Sequence, residues 1–132
     1  MTARVLVNID VPELLPAIDF YEAAVGARFS RFLDDDVVEL AYGTSAIYLL
    51  CKPAASPPTP RGAQGRDFAR HWTPVHVDFV VADLDEAVTR ASAAGATRES
   101  ECIEWRGSKC VTFSDPFGHG FCLIEFTGDS YE

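Results

Sequence analysis

Two short stretches of the chain carry polar side chains at alternate positions, which is how a strand presents them on one face. In "VHVDFVV", residues 75–81, His76 and Asp78 alternate with apolar residues, and Asn8 does the same in "VLVNID", residues 5–10. An imidazole can donate or accept hydrogen bonds and can bind metals, and a carboxylate attracts cations. Such a mixed face predicts the wall of a ligand-binding site.

The elements that would position these side chains occur twice along the chain. "VPELLPAI" at 11–18 resembles "VADLDEAV" at 81–88, and each follows a strand pattern and opens a helix. Each helix is then followed by a glycine, Gly26 or Gly95, where a left-handed residue usually ends a helix. Self-similarity at half the chain length predicts two copies of one supersecondary unit.

Each unit is predicted to contain a strand, a helix and three further strands, eight strands in all. The expected fold is α+β: a single domain over 1–132, with unit one at 1–52, an irregular connector at 53–74 and unit two at 75–132. The predicted elements are strands at 4–10, 28–33, 37–42, 45–51, 75–81, 97–103, 108–114 and 120–126, with helices at 13–25 and 84–94.

Alternation within the strands assigns their two faces. The apolar face of each sheet must pack on a helix, and the mixed faces of the two curved sheets are expected to enclose a cleft. The last strand, "GFCLIEF" at 120–126, is apolar at almost every position, so both of its faces should be covered. Phe121 and Leu123 are predicted to face the helices, whereas Cys122 and Ile124 are predicted to face the cleft.

Composition excludes several classes of function. A net charge of −9 opposes nucleic-acid binding, which depends on neutralising phosphates with Lys and Arg, and it would attract a cationic ligand. The sequence contains no run of about 18 apolar residues, so it predicts no membrane-spanning helix. The chain opens without a signal-peptide pattern, so a cytoplasmic protein with four free cysteines is expected.

The repeated unit, with "AIDFYEAAVGARF" in its first helix and "DPFGHGFCLIEF" at the close, resembles the vicinal oxygen chelate superfamily. That superfamily includes glyoxalases, extradiol dioxygenases and bleomycin-resistance proteins. The resemblance covers essentially the whole chain. It implies curved sheets around a cleft, and it leaves the activity open because one fold serves many chemistries.

Enzymes of that superfamily hold a divalent metal with one residue from each of four strands. Carried over by position, the four residues here are Leu6, Tyr48, His76 and Cys122. Only His76 is of the type that the resemblance leads one to expect, so we expect no metal, no cofactor and no catalytic residue. The alternative is zinc at His76 and Cys122 with help from Tyr48, although zinc sites usually have three or four clear ligands.

Members without the metal are mostly binding proteins, so the resemblance favours metal-independent sequestration of an aromatic or cationic compound such as an antibiotic. "EWRGSKCVTFSDPFGHGFCL" resembles the bleomycin-resistance type, with Trp105 as a stacking platform for the ligand or else as a cap on the core. Trp72, on the connector, would line the mouth of the cleft or anchor the connector. The expected ligand-binding residues are Trp105, His76, Tyr48, Asn8, Asp78, Cys122 and Trp72.

Two other roles remain open at this stage. One is a lyase, isomerase or dioxygenase with an unusual or absent metal, and the other is an auxiliary domain that binds a biosynthetic intermediate. The expected partners are a small molecule and a second copy of the chain, because a unit of about 60 residues buries little core alone.

Overall fold

The computed structural model describes residues 2–132, and the predicted α+β class is confirmed. No helix among these residues is long and apolar enough to cross a membrane. The elements, in chain order, are β1 (Val7–Val11), α1 (Leu14–Val25), β2 (Arg28–Asp34), β3 (Val37–Tyr42), β4 (Ser45–Cys51), β5 (Val77–Val80), α2 (Leu84–Ala93), β6 (Thr97–Arg98), β7 (Ile103–Trp105), β8 (Ser108–Ser114) and β9 (Gly120–Phe126).

The chain divides into two compact units, each with one sheet. The first comprises the chain up to Glu22 together with Gly26–Phe68, and the second comprises Ala23–Val25 and Ala69–Glu132. Residues 53–74 contain no helix or strand.

The sheet of the first unit has the order β1-β4-β3-β2, in which β1 and β4 are parallel and the other pairs are antiparallel. Its buried face carries Val11, Val38, Leu40 and Leu49, which are all inaccessible to solvent. Helix α1 ends at Gly26, whose φ of 80° is left-handed and is therefore adopted most readily by glycine.

The sheet of the second unit repeats this arrangement, with the order β5-β9-β8-β6 and with β7 pairing to β8. Its core side carries Phe79, Val111, Phe113, Phe121 and Leu123, all almost completely buried. Helix α2 packs on β8 and β9. It begins at Asp83, whose carboxylate accepts a hydrogen bond from the Glu86 N–H and so satisfies one free donor of the first turn.

Residues 2–132 contain nine strands where the sequence predicts eight, because the strand expected at 97–103 is interrupted. Between β6 and β7 the Thr112 N–H donates to the hydroxyl of Ser100, while the Glu99 N–H still donates to the Thr112 carbonyl. A side-chain oxygen thus takes a position that a backbone carbonyl would hold in a continuous ladder, as serine does elsewhere in turns.

The first strand of each unit begins later than predicted. Pairing starts at Val7 opposite Ile47 and at Val77 opposite Phe121, so the preceding residues have no neighbouring strand in that register. Val5 and Val75 are therefore each 83% exposed, and their predicted places on the apolar faces are wrong. An apolar residue that precedes the ladder has nothing to pack against.

The final strand is buried on both faces, which confirms the prediction from its apolar sequence. Phe121, Cys122, Leu123 and Ile124 are each at most 5% exposed. The turn before this strand is closed by Asp115, which is itself buried. Its carboxylate accepts hydrogen bonds from the backbone N–H groups of Phe117 and His119 at 2.8 and 2.9 Å.

Candidate functional site

Three side chains with metal-binding or acid–base chemistry meet on the second sheet. His76 Nε2 lies 3.1 Å from Asp78 Oδ1, and the potential ligand atoms of His76, Asp78 and Cys122 all lie within 4.8 Å of one another. The register explains the contact, because Asp78 on β5 is opposite Cys122 on β9. His76 precedes β5 by one residue and lies two positions from Asp78, so the two side chains share a face.

The connector fixes one side of this cluster through Trp72. Its indole ring lies 4.9 Å from the His76 ring, centroid to centroid, and a Cβ on Gly120 would overlap it. Arg70 places its guanidinium 5.4 Å from the Trp72 ring and forms a two-pronged ion pair with Glu99. Trp72 is nevertheless 48% exposed, so it both anchors the connector and leaves part of its ring accessible.

The Cys122 thiol is enclosed, in contrast to the exposed His76 and Asp78. Its Sγ lies 3.4 Å from the Thr112 hydroxyl, and the Cys110 thiol is a further hydrogen-bonding neighbour. Burial raises the pKa of Cys122, and burial together with the Cys122 thiol raises the pKa of Cys110 to about 12. Both groups are therefore neutral thiols near neutral pH unless a metal ion displaces the proton.

The first unit carries its own polar row. Asn8 on β1 lies opposite Tyr48 on β4, which lies opposite Glu39 on β3. The Tyr48 hydroxyl donates to Glu39 at 2.9 Å, and Arg31 also donates to that carboxylate. Hydrogen bonds from Arg31, Tyr48 and Ser30 lower the pKa of Glu39, and the bond to Glu39 raises the pKa of Tyr48.

Trp105 is an exposed aromatic residue rather than a cap on the core. It ends β7 at a tight turn in which Arg106 and Gly107 have φ values of 47° and 75°, as in the two-residue turns of β-hairpins. The indole is 61% exposed, lies 5.3 Å from the Tyr131 ring and has the Arg106 guanidinium 5.8 Å from its centroid. Trp105 pairs with Ser108, which pairs with Phe126.

The predicted site residues are therefore distributed over three places. Within the second unit, Trp72, His76, Asp78 and Cys122 lie together. Trp105 is level with Phe126, so it lies four positions along the strand direction and two strands across from Cys122, roughly 16 Å away on the same sheet. Asn8 and Tyr48 are neighbours in the first unit.

Cys110, Thr112 and Tyr131 also belong to these surfaces, although no sequence motif singles them out. The turn at 115–118 could have identified Cys110 and Thr112, because the position of this turn sets the register in which Thr112 lies opposite Cys122. From that register, alternate residues of β8 must share the face of Cys122. The position of Tyr131 depends on the fold of the C-terminal segment, for which the sequence offers no pattern.

The residues at the four positions that the resemblance assigns to a metal ion do not fit that ion. Leu6 has no donor atom, and the Tyr48 hydroxyl is a neutral phenol that already donates to Glu39. Only His76 and Cys122 retain donors that suit a transition metal. We therefore derive no chemistry from a metal held by those four residues.

Comparisons with known proteins agree on the fold. Among solved structures, similar chains include hypothetical protein SA1046 from S. aureus (21% identity, TM-score 0.72, 95% of each chain covered) and TioX from Micromonospora sp. ML1 (18%, 0.71, 95% of this chain and 99% of that one). Another is the fosfomycin resistance protein FosX from Listeria monocytogenes (18%, 0.71, 96% of this chain and 95% of that one).

No curated protein sequence matches the chain. A family model of the glyoxalase-like domain, however, matches residues 6–124, which is most of the chain and includes both sheets and both helices. This chain belongs to the glyoxalase-like domain family, within the superfamily that its repeated units and closing turn predict.

Proposed function

We propose that this protein is a small-molecule binding protein that holds an aromatic compound against Trp105 and needs no divalent metal to do so. The observation that carries the proposal is the 61% exposure of the Trp105 ring on a hairpin whose geometry is fixed by its turn. A large aromatic side chain left exposed on a rigid element favours stacking with a ligand ring, because rings gain attraction beyond their buried area.

The surroundings of Trp105 support a ligand with a substantial apolar surface. Val80 and Ile103 are 55% and 59% exposed, and they lie at the two ends of a row that runs through Ile124 and Cys110. This row and Trp105 form an apolar strip on one face of the second sheet, which is exposed at Val80, Ile103 and Trp105 and buried between them at Ile124. Apolar strips rimmed by polar residues commonly mark ligand sites.

The charges near Trp105 favour an aromatic ligand over one that binds by positive charge alone. Arg106 already places a cation near the indole face. A cationic group on the ligand would instead be attracted by Asp78 and by the net charge of −9. A ligand that combines an aromatic body with a cationic end would satisfy both surfaces.

The remaining predicted residues keep ligand-contact roles in this proposal. His76, Asp78 and Cys122 would receive a polar group of the ligand, with Trp72 beside them. Tyr48 is included because the resemblance carries it over to one of the four metal positions, and Asn8 is included because it lies opposite Tyr48. The proposed role is antibiotic sequestration in the cytoplasm, and it is supported by FosX, a structural neighbour described as a fosfomycin resistance protein.

A specific observation favours a second candidate, an enzyme of the same superfamily. The His76–Asp78 pair beside an enclosed thiol resembles an acid–base arrangement, in which a carboxylate orients an imidazole. An enzyme would lose turnover in His76→Ala, whereas a binding protein would lose mainly the affinity that one hydrogen bond contributes, about 0.5–1.5 kcal/mol.

The proposal is tested by tryptophan fluorescence with bleomycin as an aromatic, cationic probe. Trp72→Phe leaves Trp105 as the reporter, and bleomycin should quench its emission saturably. In the parent protein, Trp105→Ala should weaken binding, measured by calorimetry, by about 1–3 kcal/mol, which is roughly 5- to 150-fold. Fosfomycin, which has no aromatic ring, is the comparison ligand. Equal bleomycin affinity in Trp105→Ala and the parent protein would remove Trp105 from the site.

We also propose that the protein is a homodimer in solution. The edge strand β2 is exposed along its whole length, and its Phe29, Phe32 and Leu33 are 43%, 53% and 48% exposed. An edge strand is normally covered by another element or carries charged side chains, so exposed apolar side chains there favour a partner. Sedimentation velocity at micromolar concentration should give twice the 14.4 kDa chain mass, about 29 kDa. A species of single-chain mass would contradict the dimer.

A further inference from the structure

The cluster on the second sheet has the geometry of a metal site that differs from the four-position site of the superfamily. The ligand atoms of His76, Asp78 and Cys122 lie within 4.8 Å of one another, and the closest pair is 3.1 Å apart. Zinc bonds of about 2.0–2.3 Å place neighbouring ligands of a tetrahedron roughly 3.3–3.8 Å apart. Small side-chain rotations would therefore bring all three atoms onto one ion.

The fold holds these three side chains with little freedom to separate. Asp78 and Cys122 lie opposite each other on paired strands, so their backbones are fixed by the ladder. The imidazole of His76 is held between its 3.1 Å contact with the Asp78 carboxylate and the ring of Trp72. The Thr112 hydroxyl, 3.4 Å from Cys122 Sγ, supplies the kind of outer hydrogen bond that orients a metal ligand.

The types of donor select among metals. A thiol, an imidazole and a carboxylate together suit zinc, which binds sulfur, nitrogen and oxygen, whereas magnesium and calcium require oxygen donors throughout. Three protein ligands leave a fourth tetrahedral position open for water or for a donor atom of a bound ligand. All three residues belong to the second unit, and two of the four positions expected from the resemblance take no part.

We propose that His76, Asp78 and Cys122 bind one zinc ion within the second unit. The proposal goes beyond the stacking of a ligand on Trp105. It can fail while that function stands, because Trp105 itself lies about four strand positions from Cys122 and the strip contains none of the three ligands. Conversely, ligand stacking on Trp105 can fail while the zinc site stands, since zinc binding needs no organic ligand.

Cobalt is the spectroscopic probe for this site. The full-length protein is stripped of metal with a chelator and titrated with Co²⁺ alone under reducing conditions. We expect saturation at one ion per chain, visible bands typical of tetrahedral cobalt, and a near-ultraviolet charge-transfer band from the Cys122 thiolate. Zinc added afterwards should abolish both sets of bands by displacing the cobalt, since zinc prefers this geometry.

Variants locate the site. Cys122→Ser should remove the charge-transfer band, and His76→Ala and Asp78→Asn should each weaken Co²⁺ binding by more than about 100-fold, because even the loss of an outer hydrogen bond costs 10- to 100-fold. Cys51→Ser, which replaces a thiol of the first unit, is the matched control and should keep the parent spectrum.

Circular dichroism of each variant shows whether it is folded. An octahedral cobalt spectrum in the parent protein, or a charge-transfer band that survives in folded Cys122→Ser, would overturn the proposal. The bleomycin titration is repeated on the metal-stripped protein. Quenching of Trp105 there, without cobalt binding, would overturn the zinc site and leave the binding function intact.

Discussion

Replacing Phe113 by alanine should lower the free energy of unfolding by about 3–5 kcal/mol, the range for deleting a buried phenyl ring. Phe113 is completely buried on β8, and its ring stacks on Phe121 at 5.8 Å with 16° between the planes. Phe121 in turn meets Phe79 edge-on at 5.7 Å. The substitution removes the end of this aromatic series and leaves a cavity beneath α2 that rigid strands cannot fill.

Urea denaturation followed by circular dichroism measures this effect, with the midpoint shifted at unchanged slope if the unfolding remains two-state. Leu15→Ala is the control, because it removes a large apolar side chain that is 68% exposed and lies outside the β2 edge. We expect it to cost less than about 1 kcal/mol. Equal losses in the two variants would mean that the Phe113 ring is not part of the core of the second unit.

Much of the fold could be predicted because two signals are local. Alternation of apolar and polar residues identified the strands, and Gly26 and Gly95 marked the helix ends, where the structure has φ values of 80° and 109°. Repetition of these signals gave the two units. The burial of β9 on both faces also followed from its sequence, because a strand that is apolar at almost every position must be covered.

The errors arose where pairing between distant residues decides the outcome. Val5 and Val75 continue an alternating pattern, but the ladders begin two residues later, and a pattern cannot show where its partner strand begins. The interruption between β6 and β7 depends on the Ser100 hydroxyl reaching Thr112, which is twelve residues away. Neither effect can be predicted from intrinsic propensity.

The candidate site was predictable in its residue types and only partly in its arrangement. Period-2 alternation placed His76 and Asp78 on one face, and the structure has them in contact. The sequence did not indicate that Asp78 joins His76 and Cys122 as a third potential metal ligand. Asp78 was interpreted as a wall residue of the cleft, and its position opposite Cys122 depends on the strand register. For Trp105 the sequence left two roles open, and only the structure could distinguish an exposed ring from a core cap.

Replacing Asp115 by alanine should cost roughly 2–4 kcal/mol, because the turn before β9 depends on its carboxylate. Asp115 is 5% exposed and accepts hydrogen bonds from the N–H groups of Phe117 and His119. Its own N–H donates to the His119 carbonyl at 2.8 Å, which closes the turn from the other side. Alanine would leave two backbone donors without a partner, each worth about 1–3 kcal/mol when buried, and water can relieve only the less buried one.

Asp115→Asn separates the contribution of hydrogen bonding from that of charge, and Asp35→Ala is the control for an exposed aspartate. Asparagine keeps an acceptor oxygen at the same place, so it should retain more than half of the stability that alanine loses, whereas a requirement for the negative charge would make the two variants equally unstable. Asp35 lies in the exposed turn between β2 and β3, and its replacement should change the free energy of unfolding by less than about 0.5 kcal/mol. The prediction would be wrong if Asp115→Ala lost as little stability as Asp35→Ala in thermal and urea unfolding. The turn would then be held by Pro116 and Gly118, because the fixed φ of the proline and the left-handed φ of the glycine, 96°, would suffice to direct the chain into β9.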